Sequence, residues 1–141
     1  MVNTSNFPLV LDHIGMAVTD IDVATRMYEK LLLAKIIHDE VVTSQGVMVR
    51  FLSFADQKIE LLQAINDDSP VAKFIAKRGP GIHHLAFKTS DIYEEMQRLR
   101  GKGFQILQDE PIKGAYNKLI FFIHPKSMGG TLVEVCQPLA T

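Results

Sequence analysis

Along the chain the spacing of apolar positions switches between a step of two and a step of three to four, and it does so twice in the same order. Residues 11–18 read as a short strand; then Ile21, Ala24, Met27, Tyr28 and Leu31 mark one face of a helix. Thr19 is placed as its N-cap, and Asp20 and Asp22 suit the positive helix end. Residues 82–89 repeat the strand. Ile92, Met96 and Leu99 repeat the helical face, and Gly101 and Gly103 stand where that helix should stop. His13 and His84 lie 71 positions apart, as do Ile21 and Ile92.

The echo continues downstream. Residues 36–40 correspond loosely to 106–110, and residues 47–54 and 118–124 are rich in branched and aromatic side chains, as strands are. Each half closes on a carboxylate inside an apolar strand, Ile59-Glu60-Leu61-Leu62 and Val133-Glu134-Val135-Cys136, with the two glutamates 74 positions apart. Each half therefore predicts strand, helix and three further strands. Between the halves, Ser69 as N-cap, Pro70 at the first helical position and Gly79 past the end punctuate a connecting helix. The expected organisation is one α+β domain over about residues 8–138, with modules at about 8–67 and 81–138 and a linking helix at about 69–78.

Composition narrows the function classes. The 141 residues are 47% hydrophobic and 22% charged, which supplies a sizeable core and argues against disorder. A net charge of −1 steers the chain to neither nucleic acid nor a membrane surface. The single cysteine, Cys136, excludes an internal disulfide and a zinc–thiolate cluster, so a cytoplasmic location is expected. The first residues carry no signal-peptide pattern, and no apolar run approaches the roughly 20 residues that span a bilayer.

Four polar residues occupy strand positions where apolar ones are expected: His13, Glu60, His84 and Glu134. Burying an ionised carboxylate alone is costly, so a glutamate in a core strand requires a partner or a metal. A pseudo-twofold relation between the halves makes the four into two equivalent pairs. Two imidazoles and two carboxylates converging on one point form an N/O site suited to Zn, Co, Ni, Mn or Fe(II). Gly15 and Ala17 share the His13 face and Ala86 shares the His84 face, which leaves space over such an ion. Alone, a strand histidine is ordinarily a hydrogen-bonded core residue and a strand glutamate ordinarily solvated. It is the matched occurrence of all four that points to a metal.

His38, His83 and His124 lack this matching. Cys136, on the Glu134 face, reads as a small pocket-lining side chain, and Lys73, Lys77 and Arg78 as a solvated basic edge of the connecting helix. Residues 114–118 and 125–130 are turn-rich, as are loops that close over substrates. No GxGxxG or P-loop pattern is present.

At these residues the sequence resembles the vicinal-oxygen-chelate (glyoxalase I-like) superfamily and, within it, the methylmalonyl-CoA epimerases. The resemblance is carried by Asp12-His13-Ile14-Gly15, Gln45-Gly46-Val47, Ile59-Glu60-Leu61-Leu62, Asp68-Ser69-Pro70-Val71-Ala72-Lys73-Phe74, Gly81-Ile82-His83-His84-Leu85-Ala86-Phe87, His124-Pro125-Lys126-Ser127 and Leu132-Val133-Glu134. It implies paired βαβββ modules whose mixed sheets curl into a cup around one divalent metal ion (Co, Zn, Ni or Mn). His13, His84 and Glu134 match the ligand positions, and Glu60 matches a position taken by Glu or Gln. The implied reaction interconverts (R)- and (S)-methylmalonyl-CoA. A proton alpha to the thioester is removed through a metal-stabilised enolate, with Glu134 and Glu60 as the candidate bases. The implied partners are an acyl-CoA substrate and a second copy in a homodimer. In one respect the chain departs from some members: Val49 stands where they carry an additional glutamate, so the second base is not assigned by the resemblance.

Three other readings use the same framework. A glyoxalase I-like lactoylglutathione lyase needs nearly the same ligands. An extradiol-type dioxygenase would use His13, His84 and Glu134 as an iron triad, but Glu60 would block a position needed for oxygen and substrate. A non-enzymatic small-molecule-binding protein needs the cup and not the metal, which leaves the four ligand candidates without a purpose.

Overall fold

The computed structural model describes residue 4 and residues 6–140. Its elements run in the expected order. The first module has strand β1 (Val10–Ala17), helix α1 (Ile21–Leu32) and strands β2 (Lys35–Val42), β3 (Val47–Phe54) and β4 (Gln57–Ala64). Helix α2 (Pro70–Arg78) follows. The second module has β5 (Gly81–Lys88), α3 (Ile92–Gly101), β6 (Ile112–Gly114), β7 (Lys118–Ile123) and β8 (Val133–Pro138). This is the α+β, paired βαβββ plan read from the sequence.

By contacts the chain divides into two compact units: His13–His83, and the remainder up to Asp12 and from His84 onward. The division falls inside β1 and inside β5. In the first unit the strands run β2-β3-β4-β1, with β1 parallel to β4 and the other pairs antiparallel. In the second they run β5-β8-β7-β6, with β5 parallel to β8 and the rest antiparallel. A parallel pair needs a crossover, and the intervening helix and strands supply it.

Helices α1 and α3 each cover one face of the sheet of their own module. Ile21, Ala24, Ala34, Leu52 and Leu61 form the core beneath α1, joined by Met16 and Ile59. Ile92, Met96, Leu99, Phe121, Ile123, Val133 and Val135 form the core beneath α3. Strand alternation turns the residues between these to the opposite face. Glu60 lies between Ile59 and Leu61, and Glu134 between Val133 and Val135, so both glutamates face away from the helices.

The helix starts correct one expectation. Asp20, not Thr19, is the N-cap of α1; its carboxylate accepts from the Asp22 and Val23 N–H groups, both at 3.0 Å. Asp91 plays the same part for α3, accepting from Glu94 N–H at 3.1 Å. A carboxylate both accepts the bond and offsets the positive helix end, which a threonine hydroxyl does less well. Each helix start is also tied to the closing strand of its module. Ile21 N–H donates to Gln63 Oε1 at 2.7 Å, and Ile92 N–H to Gln137 Oε1 at 2.9 Å. These glutamines each lie three residues after the strand glutamate, so the repeat extends to its fastenings. Helix α2 starts and ends as expected, with Ser69 accepting from Val71 N–H and Gly79 closing it at a φ of 77°.

The second module departs from the echo after α3. Residues 106–110 form no strand; Ile106 makes an isolated bridge to Ile123, and the strand comes later, at β6. Side chains account for this. Gln108 Oε1 accepts from Phe122 N–H at 2.7 Å, and Arg100 Nη2 donates to the Gln108 and Asp109 carbonyls, both at 2.9 Å. Pro111, with no N–H, ends the loop so formed. Among the described residues no helix is long and apolar enough to cross a membrane.

Candidate active site

In the His13–His83 unit, the parallel register of β1 and β4 sets Gly15 opposite Glu60. His13, two residues before Gly15, shares that face. Its Nε2 lies 3.3 Å from Glu60 Oε1. Both residues are buried, His13 at 2% and Glu60 at 6% exposure. Phe51 is the β3 partner of Glu60 and meets the His13 ring edge-on, with centroids 5.2 Å apart.

The other unit repeats the arrangement. Ala86 on β5 lies opposite Glu134 on β8, and His84 Nε2 is 3.6 Å from Glu134 Oε1. Both are buried as deeply as their counterparts. Phe122 is the β7 partner of Glu134 and stands edge-on to His84, with centroids 6.1 Å apart. Phe51 and Phe122 are again 71 positions apart. The sequence reading missed these two rings, and the common offset was the signal that could have found them.

Each pair fits a divalent cation. Imidazole nitrogen and carboxylate oxygen are borderline-to-hard donors, and ligands at about 2.1 Å subtending 90–110° at the ion lie roughly 3.0–3.4 Å apart. The two observed separations are close to that spacing. Glycine and alanine opposite the carboxylates leave volume beside them, and the phenylalanines keep the surroundings apolar, which strengthens any electrostatic contact made there.

The remaining candidates are placed as follows. His83 turns from the His84 face and packs edge-on against Phe74 of α2 at 4.9 Å. Its neighbour Arg78 lies over the same Phe74 ring at 5.7 Å, so part of the basic edge of α2 is stacked on an aromatic. His124 Nδ1 accepts from Lys126 N–H at 3.0 Å and fixes a turn. Cys136 is fully buried on β8, two residues beyond Glu134 and paired in register with Ile120. His38 differs from the sequence expectation: its ring lies 6.3 Å from Phe51, the same ring that meets His13, and its Nε2 is 2.9 Å from Glu40 Oε1.

One buried ion pair and one arginine bonded to more exposed carboxylates support the strands. Asp12, the residue before His13, takes Lys118 Nζ at 3.1 Å, with both side chains almost fully buried. Arg50 on β3 donates to Asp39 at 2.6 Å, Asp22 at 2.9 Å and Thr25 at 3.0 Å. The Asp39 hydrogen bond is the main cause that raises the Arg50 pKa above its ordinary value, so the guanidinium stays charged.

Residues 12–122 match the family described as the glyoxalase/bleomycin resistance protein/dioxygenase superfamily. An uncharacterised protein of Bacillus subtilis is 41% identical, over 91% of this chain and 91% of its own length. The ethylmalonyl-CoA/methylmalonyl-CoA epimerase of Cereibacter sphaeroides is 36% identical, over 90% of this chain and 96% of its own. The crystal structure of methylmalonyl-CoA epimerase from Mycobacterium tuberculosis superposes with a TM-score of 0.91 at 37% identity, covering 99% of this chain and 94% of that one.

Proposed function

The chain belongs to the glyoxalase/bleomycin resistance protein/dioxygenase superfamily, and from that premise we propose that it is a metal-dependent epimerase interconverting (R)- and (S)-methylmalonyl-CoA. The observation that carries the proposal is the buried His–Glu pair found once in each unit, His13 with Glu60 and His84 with Glu134. The names of the Cereibacter and Mycobacterium relatives add weight to the choice of substrate. In this reading the two modules work as one domain over about residues 8–138, and the four side chains share one divalent ion, Co, Zn, Ni or Mn. The protein acts in the cytoplasm as a homodimer, in keeping with its single buried cysteine.

The substrate proton to be moved is alpha to a thioester and weakly acidic. A divalent ion supplies positive charge for the oxygens on which charge develops as that proton leaves. The rest falls to the chain. Glu134 accepts the proton, and its position in an apolar strand keeps water from competing for it. Glu60, its repeat partner, is the second candidate for proton transfer. Gly15 and Ala86 make room for the reacting centre beside the carboxylates, and Phe51 and Phe122 hold the imidazole rings. Returning a proton to the opposite side of the planar carbon inverts the centre.

The test follows deuterium at C2 of methylmalonyl-CoA in deuterated water, with each metal in turn and with chelator. Metal-dependent exchange with racemisation is expected. Exchange absent under every metal condition overturns the proposal.

A further inference from the structure

Inversion needs proton transfer on both sides of the carbon, and on β3 the face that carries Phe51 offers only Val49 two residues before it. Val49 is 2% exposed, within β3. The antiparallel register of β2 and β3 places Glu40 directly across from it, and His38 across from Phe51. A line of contacts ties these residues to the His13 face within one unit. The His13 ring meets Phe51 at 5.2 Å, Phe51 meets His38 at 6.3 Å, and His38 Nε2 bonds Glu40 Oε1 at 2.9 Å. On the other face of β2, Asp39 is bonded to Arg50, which fixes which way the strand presents its side chains. The Glu40 side chain is about one-third exposed, open enough to meet a ligand and to exchange its proton with water.

The repeat sharpens the case. Val49 corresponds to Ile120, and the residue paired with Ile120 is Ile112. The position of Glu40 in the second module is thus apolar, so the fold itself does not ask for an acid there.

We propose that Glu40, across from Val49 on the face of β2 that meets Phe51, is the second proton-transfer group, with His38 as its positioning residue. The inference rests on the epimerase reading above. In one direction Glu134 takes the C2 proton, the C–H pair passes to the thioester oxygen, and the Glu40 carboxylic acid returns a proton to C2 from the other side. The reverse direction exchanges the roles. Each turnover leaves Glu134 protonated and Glu40 ionised, and exchange with solvent resets both, so no oxidant or co-reactant is consumed.

The experiment incubates metal-loaded wild type, Glu40→Gln and Val49→Glu/Glu40→Gln with each hand of methylmalonyl-CoA in deuterated water. It reads deuterium at C2 and the chirality of the product separately, alongside thermal melting and bound metal. Glu40→Gln is expected to lose inversion by about 10²–10⁴-fold, the scale of general acid–base loss. Exchange from the hand served by Glu134 persists, and melting and metal content stay close to wild type. The double variant, with an acid restored on the adjacent strand, regains inversion. Glu40→Asp guards against a folding artefact, since it keeps a carboxylate but withdraws it by one methylene, and it should lose less than Glu40→Gln. His38→Gln should shift the pH profile of inversion while binding of substrate is unchanged. Inversion within a few-fold of wild type in Glu40→Gln overturns the assignment, as does equal loss of exchange from both hands together with lost metal. A wild type that neither exchanges nor inverts overturns the epimerase reading before any variant is made.

Discussion

Replacing Lys118 by Met should be among the most destabilising single changes in this sheet, although it leaves every proposed ligand in place. Lys118 Nζ sits 3.1 Å from Asp12 Oδ2, and the two side chains are 4% and 1% exposed. Removing the ammonium takes a charged partner from the buried carboxylate of Asp12, the residue that precedes His13. Breaking one partner of such a pair costs about 3–5 kcal/mol, against a total on the order of 5–15 kcal/mol for a whole domain. With a urea slope of about 2 kcal/mol/M, the unfolding midpoint should fall by roughly 1.5–2.5 M. Asp12→Asn/Lys118→Met removes both charges at nearly constant volume and should recover at least about 2 kcal/mol of the loss, because desolvation offsets most of the attraction in a buried pair. The measurement belongs on metal-free protein in chelator, since any bound ion would add its own stabilisation. A Lys118→Met penalty below about 1 kcal/mol, or a double variant whose cost is the sum of the single ones, would refute the view that this pair anchors the start of β1.

Other changes test the site and the repeat. His84→Ala should remove most bound metal and most activity; metal analysis showing full stoichiometry would contradict the ligand assignment. Glu134→Gln should lower turnover by about 10²–10⁴-fold with a smaller effect on metal content, and Glu60→Gln should be milder because a neutral oxygen ligand remains. Phe51→Ala should cost about 3–5 kcal/mol in urea unfolding and loosen metal binding, since the ring is buried and meets His13 edge-on. Gln63→Ala and Gln137→Ala should each cost about 0.5–1.5 kcal/mol, and by similar amounts, since they fasten equivalent helix starts.

The four polar strand residues were legible because strand alternation makes any polar residue on a core strand conspicuous, and because each has a counterpart at a matched offset. The helix starts were legible to within one residue. Thr19 and Asp20 are both capping types, and only the geometry of the first N–H groups selects between them. The position of β6 was hidden because the pairing begun at Ile106 is interrupted at Gln108 and Asp109, which bond to Phe122 and Arg100 in contacts that no periodicity records. Asp12 and Lys118 lie too far apart in the chain for any local pattern to join them. Gln63 and Gln137 carry no local signal either, since their bonds to the helix starts span 42 and 45 residues. His38 has no repeat partner to single it out, whereas its register with Phe51 places it beside the ring that meets His13.

The position of His38 bears on how a repeat can serve an asymmetric reaction. A metal ion is indifferent to the order of its ligands, so two copies of one His–Glu device can hold it, and both copies are kept here down to the phenylalanine across from each glutamate. A carbon being inverted has two sides and one thioester, so the groups that serve it need not be equivalent. The modules are therefore free to diverge where protons are moved, while they agree where the ion is to be held. They do diverge at their outer strands. β2 is eight residues long and carries His38 and Glu40, while β6 is three residues long and carries Ile112 at the position matched to Glu40. Searching a repeat only for what it preserves finds the proposed metal ligands; the residues proposed to give the reaction its direction are to be sought among the positions where the copies disagree.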